Sequence, residues 1–126
     1  MNKRSVGARY EALAAQYLIK QGLAIKEANF RCRIGEIDLI AYQKKDALDP
    51  QSSNIYVFVE VKYRRTTASG YPFEAVTPKK RKTICRVADY YRLTHGGLPG
   101  CDFRFDVISI VGDEITWYQN AFPYTN

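Results

Sequence analysis

The stretches Gly35-Glu36-Ile37-Asp38-Leu39-Ile40-Ala41 and Val57-Phe58-Val59-Glu60-Val61-Lys62 read as two strands. Strand side chains alternate between two faces. Ile37, Leu39 and Ala41 are therefore expected on one face of the first, with Glu36 and Asp38 on the other. In the second, Val57, Val59 and Val61 are expected on one face, with Phe58, Glu60 and Lys62 on the other. If both apolar faces enter the same core, Asp38, Glu60 and Lys62 converge on the opposite side. Two carboxylates and an ammonium at one end of a sheet have the composition of a metal-dependent phosphodiesterase site.

The flanking chain supplies the rest of an α/β domain. Val6, Tyr10, Leu13, Ala14, Tyr17 and Leu18 recur at helical spacing, which predicts a helix from Ser5 to Gln21. Glu11 falls at the edge of that apolar stripe, half-sheltered and close to the sheet. Ala24 to Arg33 reads as a strand, and the polar stretch from Gln43 to Asn54, with Pro50 inside it, reads as a loop. The two motif strands are expected to pair antiparallel across it. Turn formers and small polar residues from Tyr63 to Pro72 mark an exposed segment. Thr77-Pro78 opens a second helix as N-cap and first-turn proline, with Ile84, Val87, Ala88 and Tyr91 as its apolar stripe and His95-Gly96-Gly97 as its stop. Phe103 to Val111 is a strand, turned by Gly112-Asp113 into a short final strand, Glu114 to Tyr118. The expected order is α-β-β-β-α-β plus that strand, in one domain spanning residues 1–126.

The second helix breaks a local rule. Lys79, Lys80, Arg81 and Lys82 crowd its first turns, where the helix dipole favours acids. A phosphate backbone passing there turns that cost into attraction; the bland alternative is a solvated basic cluster. The net charge of +6 agrees with a polyanionic partner. Arg64 and Arg65 follow the second motif strand and extend the candidate nucleic-acid surface, and Tyr63, Tyr71 and Tyr90 are aromatics near basic stretches.

Several chemistries lack their residues. Cys32, Cys85 and Cys101 are too far apart for a Cys-x-x-Cys metal site, and the one histidine, His95, sits in a loop context. A zinc site and a Ser-His-Asp triad are poor fits. No apolar run approaches the roughly 18–20 residues of a membrane helix. The basic start lacks the apolar region of a secretory signal, so the expected location is the cytoplasm, with no membrane partner.

The candidate metal is Mg²⁺, or Mn²⁺ in its place. It is held by Asp38 and Glu60, with the carbonyl of Val61 as a further oxygen. Lys62 orients or deprotonates the attacking water, or stabilises developing negative charge. Glu11 adds a ligand through water or holds a second ion, and Glu36 is an outer candidate.

These residues also carry a resemblance. Gly35-Glu36-Ile37-Asp38 and Glu60-Val61-Lys62, with Glu11 in a preceding helix, resemble the PD-(D/E)XK (restriction-endonuclease-like) nuclease superfamily. The nearer likeness is to the YraN-like family of small bacterial proteins. It covers nearly the whole chain: Gly7-x3-Glu11, the motif strands with Tyr63-Arg64, Glu74-Ala75-Val76, Lys79-Lys80-Arg81, and Arg104-Phe105-Asp106-Val107-Ile108. The resemblance implies a mixed sheet flanked by helices. It also implies Asp38 and Glu60 as metal carboxylates, Lys62 as the catalytic lysine and Glu11 as the helix glutamate of resolvase-like branches. Ile37 stands where the superfamily's name has proline, and the 43–54 loop is longer than usual for the nearer family. The expected function is a Mg²⁺-dependent endonuclease acting on DNA, in preference to RNA, with branched and single-stranded forms among the candidate substrates. The alternatives are a non-catalytic nucleic-acid-binding module that keeps the fold, and a protein-interaction adaptor. A homodimer is open.

Overall fold

The computed structural model describes residues 3–66, 76–95 and 101–126. The stretch from Thr67 to Ala75, with Tyr71 and Glu74, and the Gly96-Gly97 stop lie outside the described residues. The elements are α1 (Lys3–Lys20), β1 (Ala24–Arg31), β2 (Glu36–Gln43), β3 (Ile55–Arg64), α2 (Pro78–Thr94), β4 (Asp102–Val111) and β5 (Glu114–Phe122). The strands form one five-stranded sheet in the order β1-β2-β3-β4-β5. Among the described residues only β3 and β4 run parallel, and α2 lies in the connection between them; the other neighbours are antiparallel. This is the mixed α/β architecture expected, compatible with a restriction-endonuclease-like core.

Each helix covers one face of the sheet. Ala14 and Leu18 of α1 bury Leu39, Ala41, Val57, Val59, Val61, Ile108 and Ile110. Ile84, Val87, Ala88 and Tyr91 of α2 bury Ile37, Ile40, Phe58, Phe105 and Val107. Because both faces are dry, the central strands read as near-continuous apolar runs, which is why Phe58 sits opposite the valines of its own strand. Thr77 caps α2 as its spacing predicts, its side-chain oxygen accepting the Lys80 N–H at 3.3 Å.

The expected alternation of β2 fails at its start. Ile37 packs under α2 with Ile40, while Leu39 and Ala41 pack under α1. The cause is a fork in the sheet. Pairing of β2 with β3 ends at Leu39↔Val59, and beyond it the Asp38 carboxylate, not a backbone carbonyl, accepts the Val61 N–H at 2.8 Å. Released from β3, though still paired with β1 through Phe30↔Ile37 and Arg31↔Glu36, the first residues of β2 do not keep its period. A cleft opens at this fork.

Two further departures concern the C-terminal half. The final strand is long, reaching Phe122 rather than Tyr118. Its pairing shifts between Val107↔Tyr118 and Phe105↔Phe122, where Asn120 takes a left-handed φ of 51°. That bulge is hard to read from residue types because the buried Asp106 of β4 organises it, accepting the Asn120 N–H at 2.8 Å. The arginines of α2 are also partly structural. Arg81 and Arg86 lie over the rings of Phe122 and Tyr124, which straps that segment along α2, and Arg92 lies over Phe103 at the start of β4.

Candidate active site

The cleft holds about 160 Å³ and is lined by Gly7 and Glu11 of α1, Glu36 and Asp38 of β2, Glu60, Val61, Lys62 and Tyr63 of β3, and Lys80 of α2. Four elements meet there because the fork lets side chains from both helices reach the same opening. Just before Glu36, Gly35 packs closely against α2. A Cβ at that position would come within 2.9 Å of the Thr83 Cγ2, so the turn between β1 and β2 approaches α2 this closely only as glycine.

Asp38, Glu60 and Lys62, far apart along the chain, share this opening. Asp38 Oδ2 is occupied by the Val61 N–H. Glu60 is 3% exposed, and its Oε2 lies 3.4 Å from the Lys62 Nζ. Glu11 reaches in from α1 and is in hydrogen-bonding contact with Asp38. Glu36 sits at the mouth, exposed and paired with Arg31 at 3.1 Å. Tyr63 forms part of the wall, its ring stacked on Tyr10 at 4.3 Å, so Tyr63 is committed to an aromatic partner within the protein.

The carboxylates are crowded, and their acidities show it. Burial first, and then the neighbouring Asp38 charge, raise Glu60 from 4.5 to about 7. Burial and Asp38 likewise raise Glu11 to about 7. Asp38 is raised by burial, which outweighs the Val61 N–H and the Lys62 charge that favour its ionised form. Lys62 is pulled down by burial but goes up on balance through Lys80 and the carboxylates of Glu60 and Asp38. Lys80, desolvated and in contact with Lys62, goes down.

The raised carboxyls imply a pH dependence. Glu60 holds its proton more tightly folded than unfolded, so the fold is favoured below the unfolded value of 4.5 and loses that advantage as pH rises through about 7. Metal-free protein is expected to lose stability between about pH 5 and 8, by on the order of 2 kcal/mol for Glu60. Glu11 acts in the same direction, reduced by solvent screening. Thermal unfolding in chelator across this range checks the expectation. Glu60→Gln should flatten the profile, and an unchanged slope contradicts the assignment.

The remaining predicted residues are dispersed. Lys79 and Lys82 are exposed on α2. Arg81 turns inward, its Nε donating to the Val76 carbonyl at 2.9 Å. Arg64 folds back, donating to the Tyr63 carbonyl at 2.9 Å, and Arg65 is exposed. Tyr90 is exposed near Phe30. His95 caps α2 with its ring stacked on Tyr91. The thiols are unpaired. Sequence reasoning placed Lys80 among the surface cations; its place in the cleft depends on how α2 meets the fork, which residue spacing alone does not reveal.

As for a metal, no group of three or more His, Cys, Asp or Glu side chains poised to hold an ion occurs among the described residues. The oxygens that can serve are the Asp38 and Glu60 carboxylates and the Val61 carbonyl. Mg²⁺ needs no more, since it retains several waters and takes one or two carboxylates. The cleft also has a charge excess. Four carboxyl groups (Glu11, Glu36, Asp38, Glu60) face two ammonium groups (Lys62, Lys80), so full ionisation leaves two negative charges that one divalent cation balances. The donor set therefore fits Mg²⁺ or Mn²⁺. No helix among the described residues is long and apolar enough to cross a membrane.

Residues 10–110 match the uncharacterised protein family UPF0102. A UPF0102 protein of Lachnoclostridium phytofermentans is 40% identical over 97% of this chain and 96% of its own. One of Caldicellulosiruptor saccharolyticus is 41% identical over 97% and 100%, and one of Alkaliphilus metalliredigens is 42% identical over 94% and 98%. The matched span runs from the first helix, Glu11 included, through both motif strands to β4, and on this evidence the chain belongs to the uncharacterised protein family UPF0102.

Proposed function

We propose that this protein is a Mg²⁺- or Mn²⁺-dependent endonuclease that hydrolyses phosphodiester bonds in DNA. The observation that carries the reading is the meeting of Asp38, Glu60 and Lys62 at one cleft where the sheet forks. Asp38 and Glu60 would hold the ion, with the Val61 carbonyl beside them. When bound, such an ion activates water and neutralises charge on the phosphate. The chain's own part is positioning. The Val61 N–H orients the Asp38 carboxylate at the cleft. Glu60 holds the Lys62 ammonium beside the same oxygens, where it can hydrogen-bond the attacking water or a phosphate oxygen. Lys79, Lys82 and Arg65, all exposed, supply positive charge for the nucleic-acid backbone.

The test is incubation of purified protein with single-stranded, linear duplex, flapped and four-way DNA, and with RNA, with Mg²⁺, Mn²⁺ or chelator. Cleavage that needs the metal is expected on at least one DNA form. No cleavage of any form overturns the enzyme reading. Salt-sensitive binding in that case identifies a non-catalytic binding module, and its absence an interaction protein.

A further inference from the structure

We propose that Lys80 is a second catalytic cation, which holds a non-bridging oxygen of the scissile phosphate, and is not one of the backbone contacts of the basic helix start. This deepens the nuclease reading and rests on it. Four consecutive cations open α2, but at about 100° per residue they point in different directions. Lys80 alone of the four lines the cleft. Lys79, Lys80 and Lys82 are all exposed, but only Lys80 stands at the cleft, and Arg81 is turned to the Val76 carbonyl.

Its surroundings favour an anion once a divalent ion balances the carboxylates of the cleft. Lys62 is ion-paired with Glu60, whereas no salt bridge among the described residues ties Lys80 to a carboxylate. Instead its side chain contacts that of Lys62. The Glu60 and Asp38 carboxylates act on both ammonium groups; an ion bound by those carboxylates would take up their charge and leave the two cations to repel unless a further anion joins them. In phosphoryl transfer, negative charge spreads over the non-bridging oxygens. A phosphate seated against an ion at Asp38 and Glu60 would meet Lys62 and Lys80 on its open side. Lys80 would then act on the reacting group, where fixed charge lowers the barrier most.

The roles separate experimentally in the full chain with Lys80→Gln, Lys80→Arg and the double variant Lys79→Gln/Lys82→Gln. Three readouts serve: single-turnover cleavage with Mg²⁺, DNA affinity against salt with Ca²⁺ replacing Mg²⁺, and calorimetric Mn²⁺ titration without DNA. Lys80→Gln is expected to lower the single-turnover rate by about 10²-fold. It should leave DNA affinity within about twofold and the salt slope unchanged. It should also bind Mn²⁺ about threefold or more tighter, because a like charge has left the cleft. Lys80→Arg should recover part of the rate. The double variant should bind DNA more weakly, with a shallower salt slope. If Lys80→Gln instead weakens DNA binding as the double variant does and keeps its rate at saturation, the residue is a backbone contact and the proposal is overturned. If wild type cleaves and Lys80→Gln cleaves equally fast, the Lys80 role alone falls. If wild type cleaves nothing, the nuclease reading falls and takes the Lys80 role with it.

Discussion

Truncating Asp106 to alanine is expected to lower folding stability by about 3–5 kcal/mol, the range for removing one partner of a buried ion pair. Asp106 is fully buried in β4. Its carboxylate accepts the Arg104 Nε at 3.0 Å, the Trp117 Nε1 at 2.8 Å and the Asn120 N–H at 2.8 Å. It thus ties a cation on its own strand to the indole and the bulge of β5. Without it, a guanidinium that is only 15% exposed loses its counter-charge, and the part-buried hydrogen bonds from the Trp117 indole and the Asn120 N–H lose their acceptor. Arg104 Nη2 already lacks a partner, so the guanidinium has little to fall back on. Urea unfolding followed by the fluorescence of the single tryptophan checks this, because that indole touches the mutated group. Asp106→Asn, which keeps one acceptor, should fall between wild type and alanine. A double variant with Arg104→Met should lose less than the sum of the single losses. A loss under about 1 kcal/mol for Asp106→Ala would mean that the network contributes shape rather than stability.

The second large effect concerns Glu60. Glu60→Gln is expected to abolish cleavage, by at least about 10³-fold, while leaving the protein as stable as wild type or more so at pH 8. The two halves follow from one cause. Burial and the Asp38 charge make ionised Glu60 unfavourable in the metal-free fold, and the neutral amide would remove that cost together with the proposed metal ligand. On the proposed nuclease reading, function and stability would pull in opposite directions at this position. Lys62→Ala should lose activity to a similar degree, without the gain in stability. The paired measurement is single-turnover cleavage and thermal unfolding of the same preparations. Retained cleavage by Glu60→Gln would remove this carboxylate from the chemistry, and an unfolded variant would show that its role is structural.

Much of this architecture was legible because the informative signals are local. The Thr77-Pro78 start of α2, the Gly112-Asp113 turn and the valine period of β3 each depend on residues adjacent in the chain. Asp38, Glu60 and Lys62 do share one cleft, but not through the strand period that suggested it: Asp38 lies beyond the last β2–β3 pair, Leu39↔Val59, and reaches β3 through the Val61 N–H. What escaped depends on the third dimension. The face taken by Ile37 was misjudged because the alternation rule assumes a continuous ladder, and β2 leaves β3 just there. The length of β5 was underestimated because its bulge is secured by Asp106, fourteen residues before Asn120. Lys80 and Arg81 are neighbours of like charge with opposite fates, one facing the cleft and the other stacked on Phe122, and nothing in residue type separates them.

The fork has one last consequence, for spectroscopy. The Val61 amide proton is bonded to a side chain whose charge varies, where a regular ladder would offer a neutral carbonyl. Its resonance is therefore wired to the ionic state of Asp38. It should shift when that carboxylate takes up a proton or an ion, while the amides of Val57 and Val59 in the same strand stay still. A single backbone signal thus becomes an indicator of what the cleft contains, readable before any substrate has been identified.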